Sequence, residues 1–293
     1  MSRASLAALA LAVLAMPANA GAPAPPPSAF QKFAGAETVV TGRVAAVETD
    51  AVYATAPYPG ATDKVAYRVA VVKVDGRIVG AGGPTHVKVG FVPPNPNEPP
   101  PRGSGGIIRP REPVPVLKDG QEALLFLVKH PTADFYVMPP RFLPVDVSGD
   151  VGKKELETVK RFADVLADPM KGLKSGTAEV RAETAALLVA KYRTHPQTGG
   201  KVEESAVPVD ESGLILKGLA EGDWTARIDP RPNALTAFYH LSLTAKDGWA
   251  EPAFPKPGPG GAVDFSAVQK AAFVKWLDGP GKNFRIKKYV PKK

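Results

Sequence analysis

The chain has 293 residues, 44% of them hydrophobic, a formal net charge of +8 and no cysteine. That size and apolar content suffice for one large or two ordinary domains with a sizeable core. The missing thiols exclude cysteine catalysis, disulfide exchange, cysteine zinc sites and lipid attachment at an N-terminal cysteine, and argue against a small disulfide-stapled module.

Arg3 is followed by an apolar run from Ala4 to Met16, interrupted only by Ser5, then by Pro17 and the small residues Ala18-Asn19-Ala20. A basic start, a short apolar core and an A-x-A site read as an export signal over residues 1–20. The expected location is the periplasm, the cell envelope or the extracellular space. The run is too short to anchor the mature chain, since a spanning helix needs about 20 apolar residues. No other stretch is long enough, so no transmembrane anchor is expected after cleavage. Residues 21–29 form a proline-rich spacer.

Residues 30–148 read as a β-rich domain. Strands are expected at 37–48, ETVVTGRVAAVE, and at 64–74, where Val65, Tyr67, Val69 and Val71 share one face. In 86–92, Val87, Val89 and Phe91 face in, while His86, Lys88 and Gly90 face out. The continuous apolar run at 122–129, EALLFLVK, has the length of a buried strand, and a short DFYVM strand at 134–138 follows a turn at Pro131-Thr132. Gly80-Ala81-Gly82-Gly83 reads as a turn between strands. Residues 93–115 are dominated by proline and glycine, which break ladders and helices alike. A loop of this length is either disordered or a binding arm.

Residues 149–293 change to helical spacing and read as an all-α irregular bundle. Stripes run through Leu156, Val159, Phe162 and Leu166, then through Val180, Thr184, Leu187, Leu188 and Tyr192. His195-Pro196 and Gly199-Gly200 stop the second helix. A third begins at Asp210, with Leu214, Ile215 and Leu219. Asn233 caps a fourth carrying Leu235, Phe238 and Tyr239. A fifth starts near Asp264 with Phe265, Val268, Ala272, Phe273, Trp276 and Leu277. The tail NFRIKKYVPKK returns to the body as an extended segment through Phe284, Ile286 and Tyr289. No fixed-period repeat is present, which favours a bundle over a HEAT-like stack.

The strands TVVTGRVAAVE, YRVAVVKVDGRIVG, HVKVGFV and LKDGQEALLFLV, with DFYVM after them, resemble a netrin-like OB barrel over residues 37–140, the group that includes the tissue inhibitors of metalloproteinases. The resemblance implies an OB-like antiparallel β-barrel and a binding role. Those inhibitors hold a catalytic metal through an N-terminal cysteine that this chain lacks, so no inhibitory residue carries over.

No catalytic residue, cofactor site or metal site is assigned. A G-x-S-x-G elbow, a phosphate-binding loop and an H-E-x-x-H helix are all missing. The four histidines, His86, His130, His195 and His240, are far apart in sequence. His130 and Asp134 flank one turn and read as a polar turn contact, and His195 as a helix-end residue. Glu203-Glu204 and Asp210-Glu211 read as solvated acids. Two surface candidates remain. Trp249 could stack on a ligand such as a sugar ring. Arg285, Lys287, Lys288, Lys292 and Lys293 form the densest positive cluster, suited to an anionic partner. Nucleic acid is not expected, because no basic stripe is interleaved with aromatics.

The chain is therefore expected to be α+β, an OB-like barrel followed by a helical bundle. Its expected role is that of an exported, non-catalytic binding or scaffolding protein with an unknown protein or an anionic envelope polymer as partner. Two alternatives are a hydrolase of an envelope polymer and a protein inhibitor using the 93–115 loop.

Overall fold

The structure is a computed structural model that describes residues 26–58, 60–80, 83, 85–94, 113–197, 201–225, 231–255 and 263–292. The export signal, most of the 21–29 spacer, most of the 93–115 loop, Gly199-Gly200 and Lys293 lie outside the described residues.

A helix stands where the spacer was expected to run into a strand. Ser28 and Gln31 form a reciprocal capping box that starts α1 (Ala29–Gly35). Phe33 on this helix is completely buried. Strands β1 (Thr38–Val47), β2 (Val52–Thr55), β3 (Lys64–Val79), β4 (His86–Phe91), β5 (Glu122–Lys129), β6 (Tyr136–Val137) and β7 (Val145–Asp146) follow. Five of them close a ring in the order β1-β3-β4-β6-β5 and back to β1, with β2 added to β3 and β7 to β5. The β4–β6 pair is parallel and the other pairings are antiparallel. Register shifts at three points of the β1–β3 ladder bend the pair, as bulges do.

The period of two settles most of the burial, with two corrections. β4 buries Val87, Val89 and Phe91 and exposes His86 and Lys88 as expected, but Gly90 is buried too. Phe135 lies where a Cβ on Gly90 would stand, 2.4 Å away, so this position is small because a ring covers it. β3 is buried on both faces: Tyr67 and Val69 pack with Phe135 and Val137, whereas Ala70 and Val72 pack with Val40, Val89 and Leu125. Val71, expected beside Tyr67 and Val69, is only half-buried. Gly80 ends β3 in the left-handed region at φ 105°. Its neighbours Ala81 and Gly82 lie outside the described residues.

Helices α2 (Asp150–Ala167), α3 (Pro169–Leu173), α4 (Ala178–Arg193), α5 (Val209–Glu221), α6 (Ala234–Leu241) and α7 (Phe265–Asp278) make up the rest, with β8 (Val202–Ala206) and β9 (Lys287–Pro291). Asn233 caps α6 as read from the sequence, and Asp264, near which a helix was expected to start, caps α7. α5 instead begins one residue before Asp210, with Pro208 at its cap. The second half of the chain is not all helix: β8 and β9 pair antiparallel from Val202↔Pro291 to Ala206↔Lys287. The extended tail thus has a partner strand, which the acidic segment VEESA concealed.

The helical core is a run of aromatic contacts. Trp224 meets Phe238 and Phe273, Phe238 meets Trp249, and Phe273 stacks on Trp276, with centroids 5.1–5.6 Å apart. A separate cluster joins strands to helices: Val39, Leu124 and Phe126 pack with Phe30, Phe33, Val159, Leu187 and Ala190.

Candidate functional site

A concavity runs between α3, α5, α7 and the 3₁₀ turn Pro280–Asn283, with a volume of about 910 Å³. Its size follows from helix geometry. Leu214 on α5, Leu277 on α7, Met170 on α3 and Phe284 after the turn present half-buried apolar surface to a common floor. Positions flanking that floor are polar. Lys174, Lys217, Lys282 and Arg285 line it against two carboxylates, Asp210 and Asp278. The result is an apolar floor under a net positive rim, the arrangement that binds amphipathic anionic surfaces.

Arg285 is the best positioned of these cations. Its guanidinium donates through Nε and Nη2 to the Val207 carbonyl at 3.3 and 3.0 Å. This fixes the planar group while its outer edge stays on the groove, which lowers the entropy lost on binding a carboxylate or phosphate.

The C-terminal cluster is divided by the structure. Arg285 lines the groove, and it shares a second, smaller pocket of about 110 Å³ with Lys287, Arg193, Glu204, Ser242 and Asp247. Lys287 donates to Glu204 Oε2 at 2.8 Å, and Arg193 to Glu204 Oε1 at 2.9 Å. These two cations hold the Glu204 carboxyl below its usual range. Lys288 is half-buried and, by strand alternation, faces away from Lys287. Lys292 is exposed beyond β9, its backbone N–H bonded to the Lys201 carbonyl. Arg285, Lys287, Lys288 and Lys292, the described members of the cluster, therefore do not converge on one surface, because β9 sends neighbours to opposite sides.

Trp249 is 7% exposed and packs between Phe238 and Trp276, its indole N–H on Glu251 Oε2 at 3.1 Å. No free ring face remains for a sugar, so this tryptophan seals the bundle.

The histidines have structural partners. His130 is buried; its Nδ1 accepts from the backbone N–H groups of Thr132 and Ala133 at 3.2 and 3.0 Å. Its Nε2 lies 3.0 Å from the Thr55 carbonyl, so the ring ties β2 to the turn after β5. Asp134 turns away to Lys129 at 2.7 Å, and that bond keeps its carboxyl below the usual range. His195 stacks on Tyr289 with ring centroids 4.0 Å apart, beyond the end of α4. Burial pulls the His240 pKa down, and Arg193 adds to the effect. Among the described residues no group of three His, Asp or Glu gathers as a metal site, and no helix is long and apolar enough to cross a membrane.

Sequence reasoning found Arg285 but missed the groove, because Lys174, Lys217 and Lys282 belong to three separate segments. The signal available was weak: each is a lysine adjoining an apolar stripe. Comparison with known protein families, characterised proteins and solved structures finds no match.

Proposed function

We propose that this protein is an exported, non-catalytic binding module of the cell envelope or extracellular space, and that its groove holds an acidic, amphipathic segment of a partner protein. The apolar floor under the rim of Lys174, Lys217, Lys282 and Arg285 carries the reading. A purely anionic polymer would use the rim alone and leave Leu214, Leu277 and Phe284 idle.

The strand half fits an OB-like, netrin-like barrel in this reading. Its support is the closed order β1-β3-β4-β6-β5 with a single parallel step between β4 and β6. Such a ring provides a stable frame on which loops and added domains act.

Capture from envelope and secreted fractions by residues 21–293 tests the groove, comparing wild type with the double variant Lys217→Glu/Lys282→Glu. Salt of about 0.05 M and about 0.5 M separates long-range attraction from packed contact. A protein retained by wild type at both salt concentrations, and lost by the variant, fits the reading. Equal retention by both chains contradicts it, and capture at low salt alone reduces the site to diffuse attraction by a basic chain.

A further inference from the structure

A second depression, between α6 and α7, has the opposite character. It has a volume of about 290 Å³ and is lined by Leu235, Thr236 and Tyr239 of α6, Phe254, and Phe265, Ser266 and Gln269 of α7. None of these seven residues carries a charge. Its walls are aromatic and open to solvent, with Tyr239 63%, Phe254 40% and Phe265 45% exposed. Phe254 and Phe265 stand 5.2 Å apart at an interplanar angle of 60°, forming a V. Tyr239 is braced from behind by buried Phe238, 5.5 Å away and edge-on. The helix caps Asn233 and Asp264 fix the first turns that carry Thr236 and Ser266, accepting from Thr236 N at 2.9 Å and from Ser266 N at 3.0 Å.

Gln269 is the decisive residue. It is only 3% exposed, yet it lines this cleft, and its side-chain amide has no hydrogen-bond partner among the described residues. Its amide atoms are not among the fully buried, unpaired side-chain atoms of the described residues, so the polar end of Gln269 opens to the water of the cleft and can exchange that water for a ligand. A glutamine also offers a donor and an acceptor side by side. That pair matches two neighbouring hydroxyl groups, and the Ser266, Thr236 and Tyr239 hydroxyls add further partners around the same space.

We infer that this cleft is a binding site for one ring of an uncharged sugar chain. Aromatic faces take the apolar C–H face of a pyranose, and the amide and hydroxyls take its edge. The uncharged lining disfavours acidic sugars and phosphates. The volume, at the small end of ligand pockets, suits one six-membered ring. A proline-rich peptide is the other partner of aromatic surfaces, but it is read along an extended groove at about 3.1 Å per residue. This cleft is compact, and its amide and three hydroxyls gather several polar groups around one ligand. The assignment is independent of the basic groove, which is built from α3, α5 and the C-terminal end of α7, whereas the cleft uses α6 and the first turns of α7.

Titration of residues 21–293 with cellohexaose, maltohexaose and chitohexaose, followed by calorimetry and by the side-chain amide resonances of glutamine in ¹H–¹⁵N spectra, tests it. One of the three is expected to bind saturably and to shift the Gln269 amide signals. Tyr239→Ala and Gln269→Leu should each weaken that binding by at least about tenfold, the scale of one good contact. Both variants should keep the wild-type melting transition, since Tyr239 is exposed and leucine removes only an unpaired amide. Lys217→Glu/Lys282→Glu should bind the sugar as wild type does, so failure of the groove leaves this result untouched. No saturable binding at about 10 mM sugar overturns the proposal. So does binding that either variant leaves unchanged, or decaproline bound through Tyr239 and Gln269 when no sugar is.

Discussion

β5 and α4 are both buried on every side, yet their sequences look nothing alike. In β5, Ala123 to Val128 is an unbroken apolar run with each residue at most 1% exposed. Its alternate residues serve different cores: Ala123, Leu125 and Leu127 face Val40, Val72 and Val89, while Leu124 and Phe126 face α1, α2 and α4. α4 buries Ala182 and the whole stretch from Thr184 to Ala190, and four of those eight residues are alanines. Leu187 and Ala190 meet the strands, whereas Ala185, Ala186, Leu188 and Val189 meet α5, α6 and α7. A strand reaches two cores by alternation. A helix reaches them by being thin enough for neighbours on all sides.

Breaking the surface where these two elements meet has the largest expected effect. Phe126 lies beside Phe142, beneath the Lys32 ammonium, and in the cluster that holds Leu187. Phe126→Ala should cost about 3–5 kcal/mol, combining lost transfer energy with a cavity. All three tryptophans lie in the helical half, so their fluorescence reports that half alone. We expect the urea midpoint by tryptophan fluorescence to fall as far as the midpoint by far-ultraviolet circular dichroism. A fluorescence midpoint left at the wild-type value would show that the shared cluster does not couple the halves.

The same contrast explains what could be read from the chain. EALLFLVK is legible as a buried strand because eight residues are too few for a helix and its ends are charged. The Asn233 cap and the helix start near Asp264 are equally plain. The sequence pattern of α4 shows one stripe through Val180, Thr184, Leu187, Leu188 and Tyr192, but Val180 is 42% exposed. Leu187 and Leu188 serve different cores. Alanine is neutral in a hydrophobic pattern, so a helix buried through alanines hides its second face. β8 was hidden by its charges, and the basic groove and the α6–α7 cleft by being assembled from residues distant in sequence. Trp249 misled for a simpler reason: a tryptophan beside a proline-rich loop looks exposed until its neighbours are known.

A smaller effect tests how closely α4 is approached. A Cβ on Gly218 of α5 would lie 2.8 Å from the Arg181 carbonyl oxygen and 2.9 Å from the Ala185 Cβ, both on α4. Gly218→Ala gains up to about 1 kcal/mol of helix propensity. Overpacking against backbone costs about 1–3 kcal/mol and outweighs it. Gly213→Ala on the same helix meets nothing within 4 Å and should be neutral or stabilising. Opposite signs for these two variants in urea unfolding confirm the tight approach. Equal signs would mean that α5 shifts freely.

The gentlest test is electrostatic and sits at the C-terminal end of α4. The Lys191 ammonium donates to the Phe33 carbonyl at 3.1 Å and to the Ala36 carbonyl, and it lies over the Phe33 ring. Burial pulls its pKa down to about 8, with Glu37 acting weakly the other way. Between about 8 and 10.5 the unfolded chain keeps a proton that the folded chain has lost, so this group makes stability rise with pH across that window. Below it both forms are charged and the contribution is at its lowest. The slope cannot exceed about 1.4 kcal/mol per pH unit. Above pH 10 two tyrosines act oppositely: burial pushes Tyr67 up to about 12, and burial with the Glu211 hydrogen bond raises Tyr192. Their folded forms keep protons that the unfolded chain loses, so stability falls there. Lys191→Met should abolish the rise from pH 8 to 10 and spare the fall beyond it. Urea midpoints of both chains at pH 7.5, 9 and 10 decide the matter. A wild-type advantage growing by about 2 kcal/mol over that range supports a desolvated ammonium clamping α1 to α4. A constant difference would mean that water reaches the amine.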